Sequence, residues 1–141
     1  MALHKRPLGK SGMEITTVGV GTWAIGGGGW SFGWGQQDDD ASIAAIHRGV
    51  ELGINWIDTA AIYGLGHSEE VVRQALAGIS PAKRPMVFTK CGLTADRSNP
   101  FGIGGACDVT NHAGVSRRRA PERLFVHPMH SMSPSCRRQQ I

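Results

Sequence analysis

Asp58, Tyr63 and Lys90 are the residues of this sequence whose types and spacing could do chemistry together. A carboxylate, a phenol and an ammonium form a proton-transfer set. The cation favours the phenolate, and the carboxylate holds the cation in place. A phenol tuned in this way works as a general acid near neutral pH, an effect worth roughly 10²–10⁴ in rate. The same trio also makes an ordinary strand-end ion pair with a tyrosine nearby. Residue chemistry alone leaves both readings open.

What decides between them is the set of elements that must carry the three groups. Residues 13–17 follow Leu8 and a Lys10-Ser11-Gly12 turn, which predicts a short β-hairpin. Residues 17–23 form a β-branched run without polar alternation, which predicts a strand buried on both faces. Asp38, Asp39 and Asp40 precede Ile43, Ile46, His47 and Val50, and Gly53 follows, which marks a helix with its start and stop. A strand over 55–60 carries Asp58. Ser68 is the expected cap of a second helix, with Glu69 and Glu70 in its first turn and Val71, Val72, Ala75 and Leu76 on its buried face. A third strand over 86–91 carries Lys90.

The order hairpin–β–α–β–α–β predicts an α/β fold with parallel strands and right-handed crossovers. In such a sheet the C-terminal strand ends gather at one face, where active sites sit. Neighbouring strands lie about 4.8 Å apart, so Asp58 and Lys90 are expected within reach of each other.

The stretch GINWIDTAAIYGLGHSEE over residues 53–70 resembles the signature of the aldo-keto reductases. Residues 18–23 and 86–90 resemble the first and third barrel strands of that family, and the hairpin resembles the one that plugs the bottom of its barrel. The likeness runs over about residues 5–93. It implies part of a (β/α)₈ TIM barrel, the N-terminal hairpin plus about three βα units. It also implies NADPH-dependent reduction of a small aldehyde or ketone. Tyr63 would protonate the carbonyl oxygen, and Lys90 and Asp58 would set its acidity. Gly21, Thr22 and Trp23 would lie near the nicotinamide, with Asp58 also near the carboxamide and ribose. The family's fourth catalytic residue is a histidine in a run similar to Leu124-Phe125-Val126-His127-Pro128, which nominates His127, 37 residues after Lys90. Trp30, Phe32 and Trp34 would wall the substrate site. The glycines at 26–29 lack the Gly-Lys-Ser/Thr of a phosphate loop and read as a plain flexible loop.

Charge divides the chain. Of 15 Lys+Arg and 11 Asp+Glu, residues 1–94 carry eight of each, so the net +4 belongs to 95–141 (seven Arg against Asp96, Asp108 and Glu122). Residues 95–141 read as an irregular basic tail, and a change of reading frame near residue 95 would produce such a shift. Glycine divides it too: 16 of the 20 precede residue 95, many of them where strands meet helices.

Arg117, Arg118 and Arg119 lack interleaved aromatics, so a solvated tail is expected and nucleic-acid binding is not. No stretch approaches the roughly 20 apolar residues of a membrane span. Residues 1–10 lack a signal-peptide core, and Cys91, Cys107 and Cys136 show no paired spacing. Both features fit a cytoplasmic protein. No cluster with metal-ligand spacing is found. Self-association through exposed sheet edges is an expected partner mode. The alternative function is a non-catalytic half-barrel that interacts or regulates, as the resemblance to channel-associated relatives allows.

Overall fold

The computed structural model describes residues 2–91, 94–95, 103–104 and 124–128. β1 (Lys5–Pro7) and β2 (Glu14–Thr16) form the expected antiparallel hairpin, with Arg6 opposite Ile15. Gly9 and Gly12 adopt positive φ (53° and 76°), and the Ser11 hydroxyl donates to the Leu8 carbonyl at 2.6 Å. Asn55 ties this hairpin to the sheet. Its Oδ1 accepts from the Thr16 amide at 2.8 Å, and its Nδ2 donates to the Glu14 carbonyl at 2.9 Å. The hairpin therefore sits at the end where β4 begins, away from the strand end that carries Asp58.

The main sheet is parallel, in the order β3 (Val20–Gly21), β4 (Trp56–Asp58), β5 (Met86–Cys91), β8 (Leu124–Pro128). β6 (Thr94–Ala95) and β7 (Ile103–Gly104) make a small antiparallel pair. The last strand departs from the expectation of an irregular tail. Leu124–Pro128 pairs with β5 over five positions, and that pairing is a non-local fact invisible to local composition.

α1 (Asp39–Glu51) starts as its acidic residues predict. Asp38 is the N-cap, its carboxylate accepting from the Ala41 amide at 3.0 Å, and Gly53 beyond the C-terminus has φ of 95°. α2 (His67–Ala77) starts differently. Its N-cap is Gly66 in the left-handed region (φ 100°), and Ser68 lies inside the first turn, fully buried. The chain enters α2 through Gly64, Leu65 and Gly66, all at positive φ, and this sharp reversal takes the cap position from Ser68. Leu65 is the one such non-glycine among the described residues.

Ile46, Ile57, Val72, Ala75, Leu76 and Val87 form the core between the helices and one sheet face. β3 is not buried on both faces as expected. It is an edge strand, Val20 packs on that core, and Val18 stays 55% exposed. A second cluster of Trp30, Ala60, Ile62 and Tyr63, with Leu65 against it, packs at the C-terminal end of β4. Among the described residues no helix is long and apolar enough to cross a membrane.

Candidate active site

The parallel ladder sets Gly21 opposite Asp58 and Lys90 opposite His127, so the ends of all four strands lie along one edge of the sheet. Lys90 reaches across from β5. Its Nζ donates to Asp58 Oδ2 at 2.7 Å and Oδ1 at 2.9 Å, to the Thr59 carbonyl at 3.0 Å and to the Tyr63 hydroxyl oxygen at 3.2 Å. An ammonium has three N–H groups, so these four oxygens share them. The same Nζ lies 5.1 Å from the centre of the Tyr63 ring. Burial pushes the Lys90 ammonium down, but the Asp58 and Tyr63 hydrogen bonds and the Asp58 charge outweigh it, and its pKa rises above the ordinary value. Lys90 is held as a cation.

Tyr63 follows β4 in a short turn, Tyr63–Gly66, and its ring is buried. It stacks on Trp23 with centroids 5.2 Å apart, and Trp30 lies 6.4 Å away. Trp23 in turn donates its Nε1–H to the Phe32 carbonyl at 2.8 Å. Of the rings expected to wall a substrate site, Trp30 is a core residue, donating to the Gly27 carbonyl at 3.1 Å. Phe32 and Trp34 are exposed, Trp34 at 74%.

The glycine run is not a plain flexible loop where it begins. Ala24–Gly26 is a 3-10 turn whose last residue packs backbone-to-backbone on Gly64. A Cβ on Gly26 would lie 2.6 Å from the Gly64 nitrogen, and one on Gly64 would collide with the Gly26 carbonyl. Only glycines permit this approach.

A flat heteroaromatic group such as a nicotinamide fits the residues present. Gly21 opens onto free space, Trp23 offers a partly exposed ring, and the Asp58 side chain is 38% exposed beside them. Thr22 is different. It is fully buried, its amide and hydroxyl donating to the Asp58 carbonyl at 3.0 and 3.1 Å.

Sequence reasoning named Thr22 and Ser68 in other roles and missed the buried hydroxyl cluster they form around this site. Ser68 Oγ lies 2.8 Å from both the carbonyl and the hydroxyl of Thr22, and 3.3 Å from Thr59 Oγ1. Thr89 donates to Glu69 Oε1 at 2.6 Å. The available signal was positional: Thr59 follows Asp58 and Thr89 precedes Lys90 directly in sequence.

Comparison with known proteins places the chain. The aldo/keto reductase family model matches residues 17–124. The match runs past residues 93 and 95, where the motif likeness and the change of composition had put the end of the family sequence. The chain is 42% identical over 96 residues to the NADH-specific methylglyoxal reductase of Escherichia coli (strain K12), covering 67% of this chain and 28% of that protein. It is 38% identical over 109 residues to an aldo-keto reductase of Bacillus subtilis (strain 168), covering 77% and 32%. The chain thus spans about a third of the length of these curated relatives. The solved glycerol dehydrogenase of Gluconobacter oxydans, itself an aldo-keto reductase, superposes with a TM-score of 0.65 at 34% identity, covering 95% of this chain and 42% of that one. The parallel strands and their helices accordingly fit part of an α/β barrel, and the chain belongs to the aldo/keto reductase family.

Proposed function

We propose that this chain carries the proton-transfer half of a carbonyl reductase, reducing a small aldehyde or ketone to the alcohol with NADPH. The observation that supports this most is the Lys90 ammonium bridging the Asp58 carboxylate and the Tyr63 hydroxyl. Because the Tyr63 oxygen accepts from Lys90, its own O–H is left to donate to an incoming carbonyl oxygen. Proton transfer leaves a phenolate, and the adjacent cation stabilises that charge as it develops. Asp58 raises the hold of Lys90 on its proton and keeps it aimed. The hydride is what a reduced nicotinamide supplies when bound, and Gly21, Trp23 and Asp58 are the residues that would hold that ring. Thr22 acts behind them by fixing the Asp58 carbonyl. His127, opposite Lys90 in the ladder, is the further proton-handling residue of this reading.

The test is a spectrophotometric assay of the purified chain with a panel of small aldehydes and ketones. NADPH and NADH are run side by side, since one relative is named NADH-specific. The expected result is cofactor oxidation that Tyr63→Phe lowers roughly 10²–10⁴-fold. A Tyr63→Phe rate equal to that of the unaltered chain would overturn the assignment.

A further inference from the structure

Thr22, Thr59 and Ser68 are among the most deeply buried side chains of the protein, and all three are hydroxyls. They come from the ends of β3 and β4 and the first turn of α2, and meet within 2.8–3.3 Å of one another through Ser68 Oγ. Each strand hydroxyl sits beside a group of the site. Thr22 donates to the Asp58 carbonyl through both its amide and its hydroxyl. Thr59 presents its carbonyl to Lys90 at 3.0 Å and anchors its amide on the Phe88 carbonyl at 2.8 Å. Ser68 also reaches the Thr22 carbonyl. The next residue, Glu69, accepts from Thr89, the neighbour of Lys90. One turn of helix is therefore fastened to three strands, each beside Asp58 or Lys90.

Its hydroxyl is not there to cap the helix, because Gly66 holds the cap position. Burying a hydroxyl costs free energy unless it is paired. An alanine would fill the helix position without that cost, so the hydroxyl answers to the strands.

We infer that Ser68 is a positioning residue for proton transfer, setting through Thr22 and Thr59 where Asp58 and Lys90 stand relative to Tyr63. This inference rests on the carbonyl-reductase reading of the same site. Removing the Ser68 hydroxyl frees Thr59 and its carbonyl to move against Lys90, while the Thr22 amide still holds the end of β3 on the Asp58 carbonyl. The acceptors around Lys90 then separate while the cofactor-facing surface of Gly21 and Trp23 stays in place. The loss falls on the chemical step and not on binding.

The experiment compares Ser68→Ala, Ser68→Cys and Thr59→Val with the unaltered chain. Ser42→Ala is the control, because Ser42 is a buried helix hydroxyl that bonds only its own helix start, the Asp38 carbonyl at 2.8 Å. Expected is a fall in kcat of about tenfold or more in Ser68→Ala at unchanged KM, partial recovery in Ser68→Cys, and no change in Ser42→Ala. A kcat equal to that of the unaltered chain, or a loss shared by Ser42→Ala, overturns the inference. Should Ser68→Ala lose its circular-dichroism spectrum, Thr59→Val carries the same test with the same expected fall.

Competitive acylation of Lys90, read by mass spectrometry, supplies a measurement independent of turnover. Expected is faster labelling of Lys90 in Ser68→Ala at neutral pH, as its hold on the proton weakens. A chain without turnover would overturn the reductase reading. The inference about Ser68 would then stand or fall on whether that labelling rate changes.

Discussion

Lys90 and Asp58 sit on adjacent parallel strands and meet head-on, the ammonium lying 2.7 and 2.9 Å from the two carboxylate oxygens. Neither residue is near the other in sequence, and the strand register alone brings them together. Asp58→Asn therefore removes the charge that raises the hold of Lys90 on its proton, while preserving shape. The expected outcome is a loss of reductase rate of roughly 10²-fold or more, read by cofactor oxidation, with circular dichroism unchanged.

The same pair sets an alkaline limit. Lys90 binds its proton more tightly in the fold than in the unfolded chain, so its contribution to stability is fully present below the ordinary lysine value of 10.5. That contribution is lost as pH rises through the higher folded value. Thermal melting of the unaltered chain should fall across that range, and Asp58→Asn should flatten the dependence. Parallel curves for the two proteins would contradict this.

On the outer face of α2, Glu70 is held down to about 2 from the ordinary 4.5. The first cause is its hydrogen bond from Arg73 and the second that from Gln74. A depressed carboxyl stabilises the fold above its ordinary value and loses that contribution as pH falls toward the folded one. Glu70→Gln should lower the melting temperature at neutral pH and narrow the difference between neutral and acidic pH. The pair is exposed, so added salt should shrink the effect.

Gly64 and Gly66 offer a matched comparison. Both have positive φ (61° and 100°), but a side chain on Gly64 meets the Gly26 backbone, whereas one on Gly66 meets nothing within 4 Å. Gly66→Ala should cost about 1 kcal/mol in strain alone. Gly64→Ala should cost about 3 kcal/mol, because strain and overpacking combine. Denaturant melts of both variants check the ranking.

Ile57 is fully buried at the centre of the sheet, and Ile46 faces it from α1. Truncating either to alanine should cost roughly 2–5 kcal/mol, measured by the same melts.

Where structure follows local chemistry, the sequence was readable. The Asp38 cap and Gly53 bound α1 because capping involves only neighbouring residues. Asp58, Tyr63 and Lys90 were legible as a group because strand ends in a parallel sheet share an edge. Ser68 was misread as a cap because the left-handed turn at Gly66 depends on Gly64 meeting Gly26, a contact 38 residues away in sequence. The burial of Trp30 had no local signal either, since its partners Ala60, Ile62 and Tyr63 belong to another loop. Leu124–Pro128 was legible as a motif around His127 but not as a strand, because its partner is β5.

The backbone contact between Gly26 and Gly64 joins two loops that the sequence keeps apart. One bears the outward rings Phe32 and Trp34, and the other bears the phenol. A side chain at either glycine would force the aromatic loop and the phenol-bearing turn apart.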